Sequence, residues 1–148
     1  MASDAAYLTT ADGRRPRVAV VDGNNATATI TTLLVEQFGC ACIAARSGEA
    51  AIALVRGESV DLVLIDLHMP DMDGIVTATL IRALGERGTM PIVPLAIARS
   101  EVAGPRGRAA GFAGAVLKPY SPRELHAAMQ AALARKPAHA AVLARSDA

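Results

Sequence analysis

The stretch Asp61-Leu62-Val63-Leu64-Ile65-Asp66-Leu67-His68-Met69-Pro70-Asp71-Met72-Asp73-Gly74 constrains the fold more than any other part of the chain. Residues 62–65 are all apolar and rich in β-branched side chains, the mark of a short strand buried on both faces. Asp66 ends that run, which sets its carboxylate at the carboxyl edge of a sheet, where open α/β folds gather their ligands. Pro70, Asp71, Asp73 and Gly74 then make a turn into a helix. An aspartate in such a place can also serve merely as a helix cap or turn-former. Partners elsewhere in the chain decide between these roles.

Strand and helix signals alternate along the rest of the chain. Strands are expected over 17–21, 40–45, 91–96 and 113–117 besides the central one. A first helix carries Ile30, Leu33, Leu34 and Phe38 as its buried stripe and stops at Gly39. A second, capped by Ser47, carries Ile52, Leu54 and Val55 and ends near Gly57. A third runs over about 75–84 with Leu80, Ile81 and Leu84 inward. The fourth falls within 98–111, where Gly104-Pro105-Arg106-Gly107 interrupts it. Proline costs about 3 kcal/mol in a helix interior and each glycine about 1, so that helix should be short, shifted or broken. In the fifth, Ser121-Pro122-Arg123-Glu124 is a capping box with proline at the first helical position. Leu125, Ala128, Met129, Ala132 and Leu133 give it an apolar face, and Pro137 ends it.

Five strands alternating with five helices predict an α/β, flavodoxin-like doubly wound parallel sheet of order 2-1-3-4-5. Residues 1–16 lack any period and read as a flexible leader, 17–136 as the domain, and 137–148 as a tail. At 148 residues the chain can bury a real core, and 52% apolar with only 3% aromatic residues makes that core one of Ala, Val, Leu and Ile. A net charge of +1 gives no electrostatic case for binding nucleic acid. Cys40 and Cys42 would share a strand face, and read as thiols of a reducing cytosol. No run approaches the ~18 apolar residues of a membrane helix, and no hydrophobic signal core opens the chain. A soluble, cytoplasmic protein without a membrane partner is expected.

Asp22, Asp66 and Lys118 all fall at the carboxyl ends of expected strands, the first, third and fifth. In the order 2-1-3-4-5 those ends converge on one crevice. Two carboxylates and an ammonium there can hold a divalent cation and a phosphoryl group, and an aspartate carboxylate can be the nucleophile. The segments Val20-Val21-Asp22, Leu62 to Gly74, Ala109-Ala110-Gly111 and Leu117-Lys118-Pro119-Tyr120 resemble the receiver domain of two-component response regulators and hybrid histidine kinases. The resemblance covers residues 17–135, and the Lys-Pro pair 52 residues after Asp66 strengthens it. It implies that Asp66 is the phosphoacceptor, Lys118 the phosphoryl-binding lysine, and Asp22 an acid of a Mg²⁺ site that Asp66 and the backbone carbonyl of His68 complete. It implies a cis Lys118-Pro119 peptide, a histidine kinase or phosphotransfer protein as phosphate donor, and a signalling role without enzyme turnover. Output would pass through a downstream protein partner, or the chain would be a piece of a hybrid kinase.

Three positions depart from the family's pattern. Gly23 stands where a second acid usually follows Asp22, so the acid that normally ligates Mg²⁺ directly is missing. The formal charge of the constellation with Lys118 counted falls from about −2 to about −1, and Mg²⁺ binding should be weak. Ala96, 30 residues after Asp66, replaces the usual Thr or Ser, and Ala115 replaces the aromatic switch residue three before the lysine. A hydrogen bond to a charged phosphoryl group is worth roughly 1.5–3 kcal/mol, so its loss can cancel much of the family's coupling.

Two other readings stand beside the phosphoacceptor. One is a pseudo-receiver, a protein-interaction module indifferent to phosphate. The other is a sensor of an anionic nucleotide, held by Arg99, Arg106 and Arg108 with Tyr120. A nicotinamide oxidoreductase is disfavoured because no G-x-G-x-x-G follows the first strand. Hydrolase chemistry is disfavoured because His68, His126 and His139 lie in no nucleophile motif.

Overall fold

A computed structural model describes residues 7–135. Its five parallel strands are β1 (Arg17–Val21), β2 (Ala41–Ala45), β3 (Leu62–Asp66), β4 (Ile92–Ala96) and β5 (Val116–Leu117). They lie in the order β2-β1-β3-β4-β5, as the alternation predicts. The helices are α1 (Asn25–Gln37), α2 (Gly48–Gly57), α3 (Gly74–Arg82), α4 (Ser100–Ala103), α5 (Pro105–Ala109) and α6 (Pro122–Leu133). Successive side chains of β1 and β3 point to opposite faces. Val18, Val20, Leu62 and Leu64 enter one core with Val35, Phe38, Leu125 and Met129 from the α1 and α6 side. Ala19, Val21, Val63 and Ile65 enter the other with Val55 and Ile81 from α2 and α3. Leu62, Leu64 and Ile65 are wholly buried, and truncating any one to Ala should cost about 2–5 kcal/mol.

The expected fourth helix is two. Gly104 is extended and leaves α4, and Pro105 starts α5 at its first position. The break falls where a proline lacks the N–H and tolerates only the opening turn. Among the described residues six α-helices therefore stand where five were expected, with a short 3-10 helix over Gly85–Gly88 besides. The fifth strand is also shorter than the expected 113–117. The carbonyls of Ile92 and Ala96 accept from the N–H groups of Ala113 and Lys118, so residues 92, 94 and 96 turn their backbone polar groups toward β5. Residue 94 is proline and has no N–H to give. Between those two bonds the β5 side takes up one residue more than β4, with Gly114 at φ +92° in the left-handed region.

Two helix faces differ from expectation. Ile30 and Leu33 are exposed on α1, and the inward face is Ala28, Thr31, Val35 and Phe38. Leu80 is exposed on α3, where Thr77, Ala78 and Ile81 turn inward. The α6 face is as expected, and its capping box is formed. Residues 7–16 hold no helix or strand, yet they do not behave as a free leader. Leu8 is buried in the core and donates its N–H to the Phe38 carbonyl at 2.8 Å. Gly39, at φ +88°, ends α1 beneath the Tyr7 ring. Cys40 and Cys42 are free thiols, and burial, with Cys42 adding, pushes Cys40 up to about 11. Among the described residues no helix is long and apolar enough to cross a membrane. Pro137, His139 and the expected tail lie outside the described residues.

Candidate functional site

The parallel register builds the site. Val21 of β1 pairs with Ile65 of β3, so Asp22 and Asp66, the next residues, leave the sheet side by side. Ala96 of β4 pairs with Leu117 of β5, and the Lys118 N–H donates to the Ala96 carbonyl at 2.8 Å. The Lys118-Pro119 peptide is cis, as expected. Lys118 Nζ reaches Asp66 Oδ1 at 2.9 Å, and the His68 N–H donates to the same oxygen at 3.0 Å. The Asp66 side chain is 6% exposed and that of Lys118 28%. Lys118 keeps access to water, while the carboxylate depends on its two donors.

Asp22 is deeper still, at 1% exposure. Its Oδ1 accepts from the Asn24 N–H at 2.9 Å and its Oδ2 from the Thr27 hydroxyl at 2.5 Å. Asn24 caps α1 by accepting from the Thr27 N–H, which fixes Thr27 over the carboxylate. Thr27 is thus a site residue that reading the sequence missed. Its signal is its place three residues after the cap, on the turn that looks back along the strand end. Glu101 is the other residue missed. Its Oε2 accepts from His68 Nε2 at 2.5 Å, and its Oε1 accepts from the N–H groups of Ile97 at 2.7 Å and Ala98 at 3.0 Å. Burial alone would raise the Glu101 carboxyl, but the Ala98 and Ile97 N–H groups and His68 outweigh it and hold the group below its ordinary value.

Gly23, Ala96 and Ala115 are where the departures from the pattern fall. Ala96 is wholly buried and Ala115 half-buried. A Cβ at Gly23 would lie 3.3 Å from Pro70 Cδ, 3.5 Å from the Arg46 carbonyl oxygen and 3.9 Å from Met69 Cγ, and Gly23 has no left-handed φ. A side chain there needs only a slight give of the Pro70 ring. The arginines of the nucleotide reading do not converge with Tyr120. Arg106 pairs with Asp73 at 3.0 Å, Tyr120 shares a hydrogen bond with Thr31, and Arg99 and Arg108 line a groove of about 430 Å³ beside Val102, Phe112 and Ala115.

Among the described residues no group of three His, Cys, Asp or Glu side chains is placed to hold a metal ion. The donor set at the sheet edge is two carboxylates, Asp22 and Asp66, with the His68 carbonyl in the adjacent loop. These are hard oxygen donors of the kind that suit Mg²⁺, with water and phosphoryl oxygens left to fill most of an octahedron.

The sequence pattern of the response regulator receiver domain matches residues 18–130. The chain belongs to this family. The sensor protein GacS of Pseudomonas syringae pv. syringae is 42% identical over 85 residues, 55% of this chain and 9% of that protein. The DNA-binding response regulator MtrA of Mycolicibacterium smegmatis is 35% identical over 124 residues, 84% of this chain and 53% of that protein. The chain thus spans about half the length, or much less, of these relatives. Among solved structures, the receiver domain of the sensor histidine kinase PA1611 of Pseudomonas aeruginosa, with a magnesium ion coordinated in its active-site cleft, superposes with a TM-score of 0.72. It is 22% identical, and the match covers 82% of this chain and 99% of that one, a likeness of fold.

The Gly23 geometry sets one expectation. In Gly23→Asp, a third carboxylate joins Asp22 and Asp66, and Mg²⁺ affinity should rise about tenfold, the effect of roughly 1.4 kcal/mol. Calorimetric titration of both proteins with MgCl₂ measures this. Equal affinities would show that residue 23 does not face the ion.

Proposed function

We propose that this receiver domain accepts a phosphoryl group on Asp66 from a phosphohistidine of a histidine kinase or phosphotransfer protein, and passes the signal to a downstream protein partner. The family assigns the broad role, a signalling module of two-component systems. The observation that carries the finer reading is the convergence of Lys118 Nζ and the His68 N–H on one oxygen of a nearly buried Asp66. In the transfer, an Asp66 carboxylate oxygen forms a bond to phosphorus as the P–N bond to the donor imidazole breaks, and the imidazole keeps the electron pair and takes up a proton. Lys118 would neutralise a phosphoryl oxygen, with the His68 N–H as a second donor. Mg²⁺ held by Asp22, Asp66 and the His68 carbonyl would neutralise the remaining charge. Binding to that ion is expected to be weak, because Gly23 supplies no carboxylate and the Thr27 hydroxyl engages Asp22.

A phosphate-independent interaction module is the second reading, favoured by the full engagement of Asp22 by Asn24 and Thr27 and by the alanines at 96 and 115. Exposure to acetyl phosphate with Mg²⁺, followed by intact mass, separates the two. One added phosphoryl group per chain supports the acceptor, and none at saturating donor and Mg²⁺ supports the interaction module.

A further inference from the structure

We propose that Glu101 is a positioning residue for the acceptor loop, tying His68 and through it the Asp66 carboxylate to the turn after β4. This rests on the phosphoacceptor reading and gives that site a route to α4 that needs neither a hydroxyl at Ala96 nor a ring at Ala115.

A cleft of about 400 Å³ lies between the loop after β3 and the split helix, lined by Leu67, His68, Asp73, Glu101, Gly104 and Arg106. Two side-chain contacts cross it, the His68 imidazole to Glu101 and the Asp73–Arg106 ion pair. They are not equivalent. The side chains of Asp73 and Arg106 are 42% and 64% exposed, and a pair that open contributes little. The His68 side chain is also half open, at 48%, but Glu101 is 25% exposed and one of its oxygens is already held by two backbone N–H groups. That carboxylate is fixed before the imidazole meets it, so the pair does not have to order both partners. α4 has four residues and cannot hold itself as an isolated helix. Its first turn is set by what Glu101 grips.

The bonds form one continuous path. Asp66 Oδ1 accepts from the His68 N–H, the His68 imidazole donates to Glu101, and Glu101 accepts from Ile97 and Ala98. A phosphoryl group on Asp66 competes for the His68 N–H and draws the 67–69 backbone toward itself. The imidazole moves with that backbone, and Glu101 transmits the shift to the turn directly after Ala96. The path is one of polar contacts between two-partner groups, each of which has something to lose when the other moves.

The test is the amide NMR spectrum of the full chain titrated with beryllofluoride and Mg²⁺, for wild type, Glu101→Gln and Glu101→Ala. In wild type the His68, Ile97 and Ala98 amides should shift with one midpoint. In Glu101→Ala the His68 and Lys118 amides should still respond, while the titration shifts of Ile97 and Ala98 shrink by about threefold or more. Glu101→Gln keeps an oxygen for the two N–H groups but loses the charge facing the imidazole, and should fall between. A merely structural Glu101 would leave the Ile97 and Ala98 responses equal in wild type and Glu101→Ala, and that result overturns the proposal. If wild type shows no response at His68, the phosphoacceptor reading fails instead. The positioning role is then judged without ligand, by the change that Asp66→Asn produces at Ile97 and Ala98. That change must be lost when Asp66→Asn is combined with Glu101→Ala, and its persistence overturns the proposal.

Discussion

An Asp66→Asn variant is expected to take up no phosphoryl group under conditions that label wild type. The amide offers no anionic oxygen to attack phosphorus, and among the described residues no other carboxylate has the same setting. Asp22 is 1% exposed, with both its oxygens bonded to Asn24 and Thr27. Asp71 and Asp73 lie farther along the loop, where one accepts from the Gly48 N–H and the other caps α3 and pairs with Arg106. Neither has a lysine beside it among the described contacts, whereas Lys118 Nζ lies 2.9 Å from Asp66. The expected effect is therefore complete loss, read by intact mass after exposure to acetyl phosphate and Mg²⁺. Phosphate of equal stoichiometry on Asp66→Asn would move the acceptor elsewhere and end the reading. The variant should remain folded. Its amide oxygen can still accept from Lys118 and His68, and Lys118 is exposed enough to solvate, so the loss of stability should stay near 1–3 kcal/mol. Near-ultraviolet circular dichroism of the variant checks that unphosphorylated means unreactive rather than unfolded.

The strands were legible because their apolar runs are short, dense and bounded, and because a parallel sheet buried on both faces leaves little room for another reading. The same runs placed Asp22, Asp66 and Lys118 at strand ends, and register alone then brings two of them side by side. The helices were harder, and the errors share a feature, a buried threonine. On α1, Thr31 is buried where Ile30 and Leu33 were expected, because its hydroxyl shares a hydrogen bond with Tyr120 from 89 residues away. On α3, Thr77 is buried in preference to Leu80, and its hydroxyl donates to the Asp73 carbonyl at 3.0 Å. A hydropathy pattern scores a threonine as a surface residue. It cannot see that a hydrogen-bond partner removes the desolvation cost. Small inward residues such as Ala28 and Ala78 also let the helices approach the sheet closely, leaving the larger aliphatics outside.

The supporting residues of the site were hidden for a related reason. Thr27 and Glu101 hold carboxylate and loop through bonds made only in the folded chain, and neither sits in the four short segments that carry the family resemblance. Pro94 was visible in the sequence, but its effect was not. Only the direction in which residue 94 faces decides whether a missing N–H falls on the β3 or the β5 side. The interruption of the fourth helix, by contrast, was legible because Gly104-Pro105 acts through local backbone geometry, which tertiary packing has little power to override.

The second large effect is expected from Gly74→Ala, a change that conventional helix propensity would favour. Gly74 is the first residue of α3, and alanine there would gain up to about 1 kcal/mol over glycine. The space is already taken. A Cβ on Gly74 would lie 2.6 Å from the Asp66 carbonyl oxygen and 2.8 Å from both Leu67 Cα and Leu67 Cδ2. Two of those atoms are backbone, and the Gly74 N–H is itself bonded to the Leu67 carbonyl at 3.0 Å, so the loop cannot step aside without losing that bond. Overpacking of this kind costs about 1–3 kcal/mol or more, and here it exceeds the propensity gain. We expect a net loss of about 2 kcal/mol, seen as a fall of roughly 1 M in the urea midpoint for a slope near 2 kcal/mol/M. Gly57→Ala is the control. Gly57 is the last residue of α2, has no left-handed φ, and a Cβ there meets nothing within 4 Å. That variant should be unchanged or more stable by up to about 1 kcal/mol. The strain in Gly74→Ala should also be local. Its amide shifts should be largest at Leu67 and His68, because the displaced atoms belong to the backbone that holds the His68 N–H against Asp66 Oδ1, and small at Leu125 and Met129 across the sheet. A Gly74→Ala protein as stable as wild type, with His68 unmoved, would mean that the turn between Asp66 and α3 is looser than its contacts require. The glycine would then be dispensable to the site.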